Sequence, residues 1–379
     1  AYSFGLSHFG TRGISKLKNT SERDPYENTS VSIRADYDLN FQNTIGLIGR
    51  FTDARYEYDD SNGLRDDPDL IGKAKQVSMS SYFESKINER WGQKLQLSYM
   101  GSYRRDADDK DTRYPSNYLR DWYKGENYQL DWQHSIKVTN FDTVIAGFDY
   151  QRESGSYYYY SESAFGPFEA IFPKVTSNAK GYYLQNLINL DDVFHFNLGV
   201  RLNEHSNAGF HQVYKVDANY LFKTGTKIKG GWGTAFKAPT LYQLYAIADP
   251  FFCGGGNSSL EPEKSSTYEI GIDQSIFDDK INFGITYFHT DITDLIDAVY
   301  HPSTFFTDSY ANVGKARIFG YESVLAINPF KELKFDFGYT WQDTENRDTG
   351  DELLRRPKNK CFAKLRYAPV EKLQLGLKF

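Results

Sequence analysis

Apolar and polar residues alternate along this chain in segments that end on short polar turns, and that period of two constrains its fold more than any other feature. Leu333, Phe335, Phe337, Tyr339 and Trp341 fall on one side of a strand, with Lys334, Asp336, Gly338, Thr340 and Gln342 on the other. Phe194, Phe196, Leu198 and Val200 oppose His195, Asn197, Gly199 and Arg201 in the same way. Ile281, Phe283, Ile285 and Tyr287 oppose Asn282, Gly284 and Thr286, and Leu373, Leu375, Leu377 and Phe379 oppose Lys372, Gln374, Gly376 and Lys378. Successive side chains of an extended strand point to opposite faces, so each set occupies one face of a sheet.

The turns have a rhythm of their own. They fall at 39–43, 88–93, 138–142, 190–193, 222–226, 277–280, 328–332 and 368–372, mostly roughly 50 residues apart. Between them lie longer stretches rich in Asp, Ser, Asn, Gly and Tyr. Short turn, strand, long loop, strand, short turn is the order of an outer-membrane barrel, with short turns on one side of the bilayer and long loops on the other. In that fold the apolar set faces lipid and the polar set a hydrated lumen; in a soluble sandwich the apolar set would face a core. One strand near residues 2–13 and two strands per turn give about 17 strands. An odd antiparallel count does not normally close, so the sequence predicts an all-β, antiparallel transmembrane β-barrel that is truncated, one domain over residues 1–379. No leader peptide is visible, which also predicts a processed chain or a fragment.

Composition agrees with the pattern. The chain has 379 residues, 17% aromatic, with 30 Tyr and 28 Phe, and a mean hydropathy of -0.62. No apolar run reaches the roughly 18 residues a membrane helix needs. A net charge of -6 argues against a nucleic-acid partner. Cys253 and Cys361 are far apart and carry no metal-ligand spacing. No Gly-x-Ser-x-Gly, His-Glu-x-x-His or phosphate loop is present, so catalysis is not expected.

Residues Phe236 to Glu269 carry a more specific signal. Lys237-Ala-Pro-Thr-Leu-Tyr-Gln-Leu-Tyr245 is followed by Leu260-Glu-Pro-Glu-Lys-Ser265 and Tyr268-Glu269 across a long loop. This pair resembles the TonB-dependent outer-membrane receptors, barrels of 22 strands. Tyr310-Ala-Asn-Val-Gly-Lys-Ala-Arg-Ile-Phe-Gly-Tyr-Glu322, Asp291-Ile-Thr-Asp-Leu-Ile-Asp297 and Leu353-Leu-Arg-Arg-Pro-Lys-Asn-Lys360 extend the resemblance. Residues 220–367 are most similar to the vitamin B12 (cobalamin) receptor subgroup; residues 1–220 match in strand rhythm alone. Haem receptors of this family carry a His between the two halves of the first motif, and none stands there.

The resemblance implies an outer-membrane receptor that imports a corrinoid, or alternatively a ferric siderophore, and less readily haem. It implies energy from a TonB complex acting on a plug domain that this chain does not show. It requires no resident cofactor. Aromatic residues suited to stacking on a bulky flat ligand are Tyr157, Tyr158, Tyr159, Tyr160, Phe165 and Phe168, expected in one long loop, with Tyr242, Tyr245, Phe251 and Phe252 in another. Asp24, Asp59, Asp60, Asp66, Asp67 and Asp69 are hard oxygen donors suited to Ca²⁺, and cobalamin receptors order early loops with that ion. Asp106, Asp108, Asp109 and Asp111 are interspersed with Arg104, Arg105 and Lys110 and are expected to neutralise one another. His205 and His211 read as solvated loop residues. Outside this family, a passive porin-like channel, a surface adhesin or a soluble carbohydrate binder share the strand pattern.

Overall fold

The computed structural model describes residues 1–15, 23–59, 67–112, 114–164, 166–247, 255–300, 307–370 and 372–379. Its strands are β1 (Tyr2–Thr11), β2 (Tyr26–Asn40), β3 (Asn43–Glu57), β4 (Ile71–Lys86), β5 (Trp91–Asp108), β6 (Tyr118–Lys137), β7 (Asp142–Ser163), β8 (Gly166–Leu190), β9 (Phe194–His205) and β10 (Gly209–Leu221). Next come β11 (Thr226–Lys237), a one-turn helix α1 (Leu241–Tyr245), β12 (Glu263–Ile276), β13 (Ile281–Thr293), β14 (Ile296–Tyr300), β15 (Thr307–Asn312), β16 (Ala316–Phe330), β17 (Leu333–Asn346), β18 (Asn359–Val370) and β19 (Leu373–Lys378).

Among the described residues seventeen strands form one antiparallel sheet, and β14 and β15 form a separate hairpin. Each strand of the large sheet pairs with its neighbour in sequence, with β13 passing over the hairpin to β16. The strand count and all eight short turns agree with the sequence reading. Among the described residues β1 is laddered to β2 and β19 to β18, and no register joins β1 to β19.

The two faces differ chemically. On one, Ile45, Leu47, Met79, Leu97, Trp132, Leu198, Trp232, Ile270, Phe283 and Leu375 stand exposed, Met79 at 53% and Ile270 at 60%. A sandwich would bury this set, so its exposure identifies the lipid-facing side. Aromatic side chains form a girdle on it: Tyr287 meets Tyr321 at 5.2 Å, Tyr321 meets Trp341 at 6.1 Å, and His289 stacks on Tyr268 at 4.8 Å. Rings with one polar end favour the level of the lipid headgroups. Among the described residues no helix is long and apolar enough to cross a membrane; the strands do so.

The opposite face is polar and internally bonded. Arg201 makes two hydrogen bonds to Asp149, at 2.6 and 2.9 Å, and Tyr183 donates to Asp131 at 3.4 Å. Gly181 makes room for this pair, since a Cβ there would meet the Arg201 guanidinium at 2.1 Å and Asp149 at 2.6 Å. Gly181→Ala should therefore separate Arg201 from Asp149. Partial solvent screening limits the cost to about 1–2 kcal/mol. The check is the temperature at which the folded barrel loses its heat-modifiable gel mobility, which should fall for Gly181→Ala and stay put for Gly376→Ala, where nothing lies within 4 Å.

Candidate functional site

The compact apolar clusters of the described residues lie at the end of the sheet opposite the short turns, here called the mouth. In one, Tyr157, Ala170 and Phe172 are buried against Tyr159, Phe168 and Val175. In the other, Leu244 of α1, Leu260 and Ile296 are buried against Tyr310. Ring contacts join them. Tyr157 stacks on Phe172 at 5.3 Å and on Tyr123 at 5.5 Å, and approaches Tyr242 at 6.1 Å. Tyr242 meets Tyr310 edge-on at 6.3 Å. Arg104 lies over the Tyr123 ring at 5.6 Å. Beneath these rings opens a cavity of about 780 Å³, walled by Ala54, Met100, Tyr123, Asn127, Tyr157 and Leu241 among others.

The sequence motifs explain why α1 sits there. Pro239 lacks a ladder donor, so β11 stops at Lys237. Thr240 then caps the helix: its hydroxyl accepts from the Gln243 backbone N–H at 3.2 Å, and the Gln243 side chain accepts from the Thr240 N–H at 2.9 Å. Such a box satisfies two otherwise orphaned donors. The returning chain packs on the helix backbone, with Gly256 N–H donating to Ala246 O at 2.7 Å and Asn257 N–H to Gln243 O at 2.8 Å. A Cβ on Gly256 would sit 2.5 Å from the Leu244 and Tyr245 backbone, so no other residue fits.

Two polar residues lock the loop. Lys237 Nζ reaches Glu263 Oε2 at 3.0 Å, and Glu263 Oε1 accepts the Ile296 N–H at 3.0 Å. Asn312 donates to Glu261 O at 2.8 Å and to Asp294 O at 2.7 Å, and accepts from the Glu261 N–H at 2.9 Å. The Lys-Ala-Pro-Thr, Leu-Glu-Pro-Glu and Asn-x-Gly segments, far apart in sequence, are thus one clasp.

A carboxylate cluster crowns the neighbouring wall. Asp67, Asp69 and Asp108 each present an oxygen within 4.8 Å of the others. Asp59 and Asp67 are 3% and 2% exposed. Asp59 Oδ1 accepts the Asp67 N–H at 3.3 Å. Asp59 Oδ2, Asp67 Oδ1, Asp69 Oδ1 and Asp108 Oδ1 have no hydrogen-bond partner among the described residues. The cluster stands beyond the apolar band, whose last outward rings on β5 are Tyr99 and Tyr103. Burial, then the charge of Asp108, pushes Asp67 up to about 7. Burial, then Asp69, pushes Asp108 up to about 6. Buried anions this close repel one another unless a cation lies between them.

The structure sorts the residues singled out from sequence. Tyr157 to Tyr160 lie within β7, not in a long loop, because β7 stays paired with β6 as far as Glu162 and with β8 as far as Ser163. Period two then splits the quartet. Tyr157 and Tyr159 face the mouth, Tyr159 meeting Phe168 at 6.0 Å. Tyr158 and Tyr160 face outward, against Trp122 and Tyr118. Tyr242 joins Tyr157; Tyr245 hydrogen-bonds instead to Asn207. Phe165, Phe251, Phe252, Asp60 and Asp66 lie outside the described residues. Asp67 and Asp69 come together with Asp59 beside them, while Asp24 packs against Gly13 and is not one of the three clustered carboxylates.

The second acidic run divides too. Asp106 pairs with Arg104 at 2.6 Å, as expected, whereas Asp109 pairs with Arg120 of β6 and Lys110 with Glu162 of β7. Asp108 instead joins the first cluster, because the β4–β5 register sets Ile71 opposite Ala107 and so brings the residues before β4 beside the end of β5. That hairpin register was the available signal for Asp108. Tyr123, Phe172 and Tyr310 were missed because nothing local marks which strand aromatics converge. His205 and His211 are not free in solvent: His205 contacts Ser177 at 3.1 Å, and His211 stacks on Phe236 at 4.6 Å.

A family model described as TonB dependent receptor-like, beta-barrel, matches residues 2–379. The siderophore receptor PirA from Acinetobacter baumannii is similar in structure, with TM-score 0.80 at 16% identity, over 100% of this chain and 62% of that one. A mutant of the ferric enterobactin receptor PfeA from Pseudomonas aeruginosa gives TM-score 0.75 at 17% identity, over 97% and 59%. The ferric yersiniabactin uptake receptor FyuA from Yersinia pestis gives 0.74 at 12% identity, over 100% and 63%. The chain thus spans about three fifths of the length of these structures, and at such identities the likeness is one of fold.

Thr240→Ala should loosen α1 without disturbing the sheet. Loss of an N-cap costs about 1 kcal/mol, or roughly fivefold faster amide exchange at Gln243 and Leu244 in hydrogen–deuterium exchange, with the β12 and β13 amides unchanged.

Proposed function

The chain belongs to the TonB-dependent receptor-like β-barrel family, and from that premise we propose that it is the barrel of an outer-membrane receptor that takes up a corrinoid. The observation that carries the proposal is the aromatic cavity of about 780 Å³ at the mouth, walled by Tyr123 and Tyr157 with Tyr242 at its edge. Flat rings on several sides of a concave site suit a broad, planar ligand. The charge of the adjoining wall discriminates further. Asp59, Asp67, Asp106, Asp108 and Asp121 are buried along it, and Arg104 is engaged by Asp106. That field disfavours a polyanionic ferric catecholate and tolerates a corrin ring of little net charge. The similarity of residues 220–367 to cobalamin receptors supports the same ligand.

Import by the complete receptor would draw on an inner-membrane TonB complex acting through a plug domain, because the outer membrane holds no nucleotide to supply energy. The barrel's share is to bind the ligand at the mouth and hold it over the lumen. Membership of a transporter family supports import in place of catalysis.

The carboxylate cluster is assigned to Ca²⁺. Calcium takes six to eight oxygens at about 2.3–2.6 Å, and the spacing of Asp67, Asp69 and Asp108 lets one ion touch all three. Their unpartnered buried oxygens fit such a ligand. The ion would tie the segment before β4 to the end of β5, above the aromatic cavity. A ferric siderophore is the second reading, favoured by the ligands named for PirA, PfeA and FyuA.

The test uses the complete receptor in cells lacking their own cobalamin receptor, with labelled cyanocobalamin and isolated outer membranes. Saturable binding is expected, weakened about two- to tenfold by Tyr157→Ala or Tyr242→Ala, the range of one lost aromatic contact. Absence of saturable binding would overturn the corrinoid reading in favour of a ferric siderophore. For the ion, purified receptor should gain thermal stability with added calcium, by about 2.7 kcal/mol at a hundredfold excess over Kd. Asp108→Asn should erase that gain and raise stability in chelator, because one repelling charge is gone. An equal calcium gain in the variant would remove the metal assignment and leave the ligand reading intact.

A further inference from the structure

The outer face of β3 to β5 carries a row of cations that the import reading does not use. Register places Arg55 opposite Lys73 and Lys73 opposite Arg105. The next residues along these strands, Tyr56, Gly72 and Asp106, face the lumen. Tyr56 donates to Asp106 at 3.4 Å, and a Cβ on Gly72 would meet the Tyr56 ring at 2.2 Å. The cations therefore point outward.

Their height is set by the rows nearer the short turns. Asp53, Lys75, Tyr103 and Lys124 lie opposite one another in the first, and Phe51, Val77 and Gly101 in the next. Beyond these come Leu47, Leu97 and the other lipid-facing residues. The cations thus stand where the apolar band gives way to headgroups.

Their partners are unequal. Arg55 reaches Glu57 at 3.3 Å and has Glu27 opposite it on β2. Lys75 reaches Asp53 at 3.4 Å, and Lys124 reaches Glu126 at 3.4 Å. Lys73 and Arg105 have no carboxylate within salt-bridge distance among the described residues, although they are direct cross-strand neighbours. Like charges so placed destabilise a sheet. An anion between them would reverse the sign of that interaction. Beside Arg105 in register stands Trp122, which stacks on Tyr158 at 6.3 Å and offers a flat outward surface.

We propose that Lys73 and Arg105 bind the phosphate of a phosphorylated glycolipid in the outer leaflet. The guanidinium takes two phosphate oxygens in a fork, the ammonium supplies a compact charge beside it, and the Trp122–Tyr158 pair lies against the sugar. The site fixes an annular lipid on the wall that carries the carboxylate cluster on its other face.

The test uses the complete receptor in lipid nanodiscs, with native mass spectrometry and thermal unfolding as readouts. Three probes are compared: a bisphosphorylated glucosamine-based glycolipid, the same lipid with its phosphates removed, and inorganic phosphate. The phosphorylated lipid should be retained and should raise the unfolding temperature, the dephosphorylated lipid should bind at least tenfold more weakly, and millimolar inorganic phosphate should not displace the first. Lys73→Gln with Arg105→Gln should lose the preference, whereas Lys180→Gln, whose partner is Glu204, should keep it. Equal retention of the two lipids, or an unchanged preference in the double variant, would overturn the proposal. Displacement by inorganic phosphate would replace the lipid with a free-phosphate site and overturn it equally. Should the double variant fail to fold, the comparison of lipids on the unaltered receptor still decides.

Discussion

Backbone polar groups have no water to bond in the hydrocarbon of a membrane, and the rest of this architecture depends on how the chain satisfies them. Consecutive antiparallel pairing leaves no gap in the ladder from β1 to β19. Once the ladder is fixed, side chains have only two directions. The apolar set takes the lipid side, and the polar set must find partners within the lumen, as Arg201 does with Asp149 and Lys229 with Asp273. A globular protein hides its large apolar residues in a centre; this one displays them and keeps its small buried clusters for the mouth.

That inversion explains where specificity can reside. The transmembrane part of each strand answers to the bilayer. At the mouth the constraint lifts, and ordinary folding devices return: a capped helix turn, a two-stranded hairpin, and a clasp made by Asn312 and Glu263. The sequence segments that most resemble a family are those that build this clasp. They mark a way of folding a loop into a lumen opening, and of the rings they position Tyr242 lines the cavity while Tyr310 packs edge-on against it.

The sequence disclosed what is local and left obscure what is set by register. Alternation and turn chemistry are written within a few residues, and so the eight turns and the number of strands could be read directly. The Tyr157–Tyr160 run was misplaced because a strand that has left the membrane no longer alternates apolar with polar, and four consecutive tyrosines look like a loop. Asp108 was assigned to its sequence neighbours because the partner that matters, Asp69, is adjacent only after β4 and β5 have paired. The same holds for Lys73 and Arg105. Pairs made across strands need the ladder before they can be seen.

From β6 to β8 the strands outgrow the bilayer. β8 has 25 residues, about 80 Å of path at roughly 3.3 Å per residue. At a tilt of about 40° it rises about 60 Å, against an apolar band of about 25 Å. More than half of β8 therefore stands above the membrane, laddered to β7, which is itself paired with β6 as far as Glu162, and its register with β7 shifts between Gly155 and Tyr157. Its root is held to the chemistry of lipid and its middle to the packing of Tyr157 on Phe172, while the crest meets whatever lies outside the cell. Antibodies and phages would touch the crest first, and it could change its residues under their pressure without loosening the barrel below.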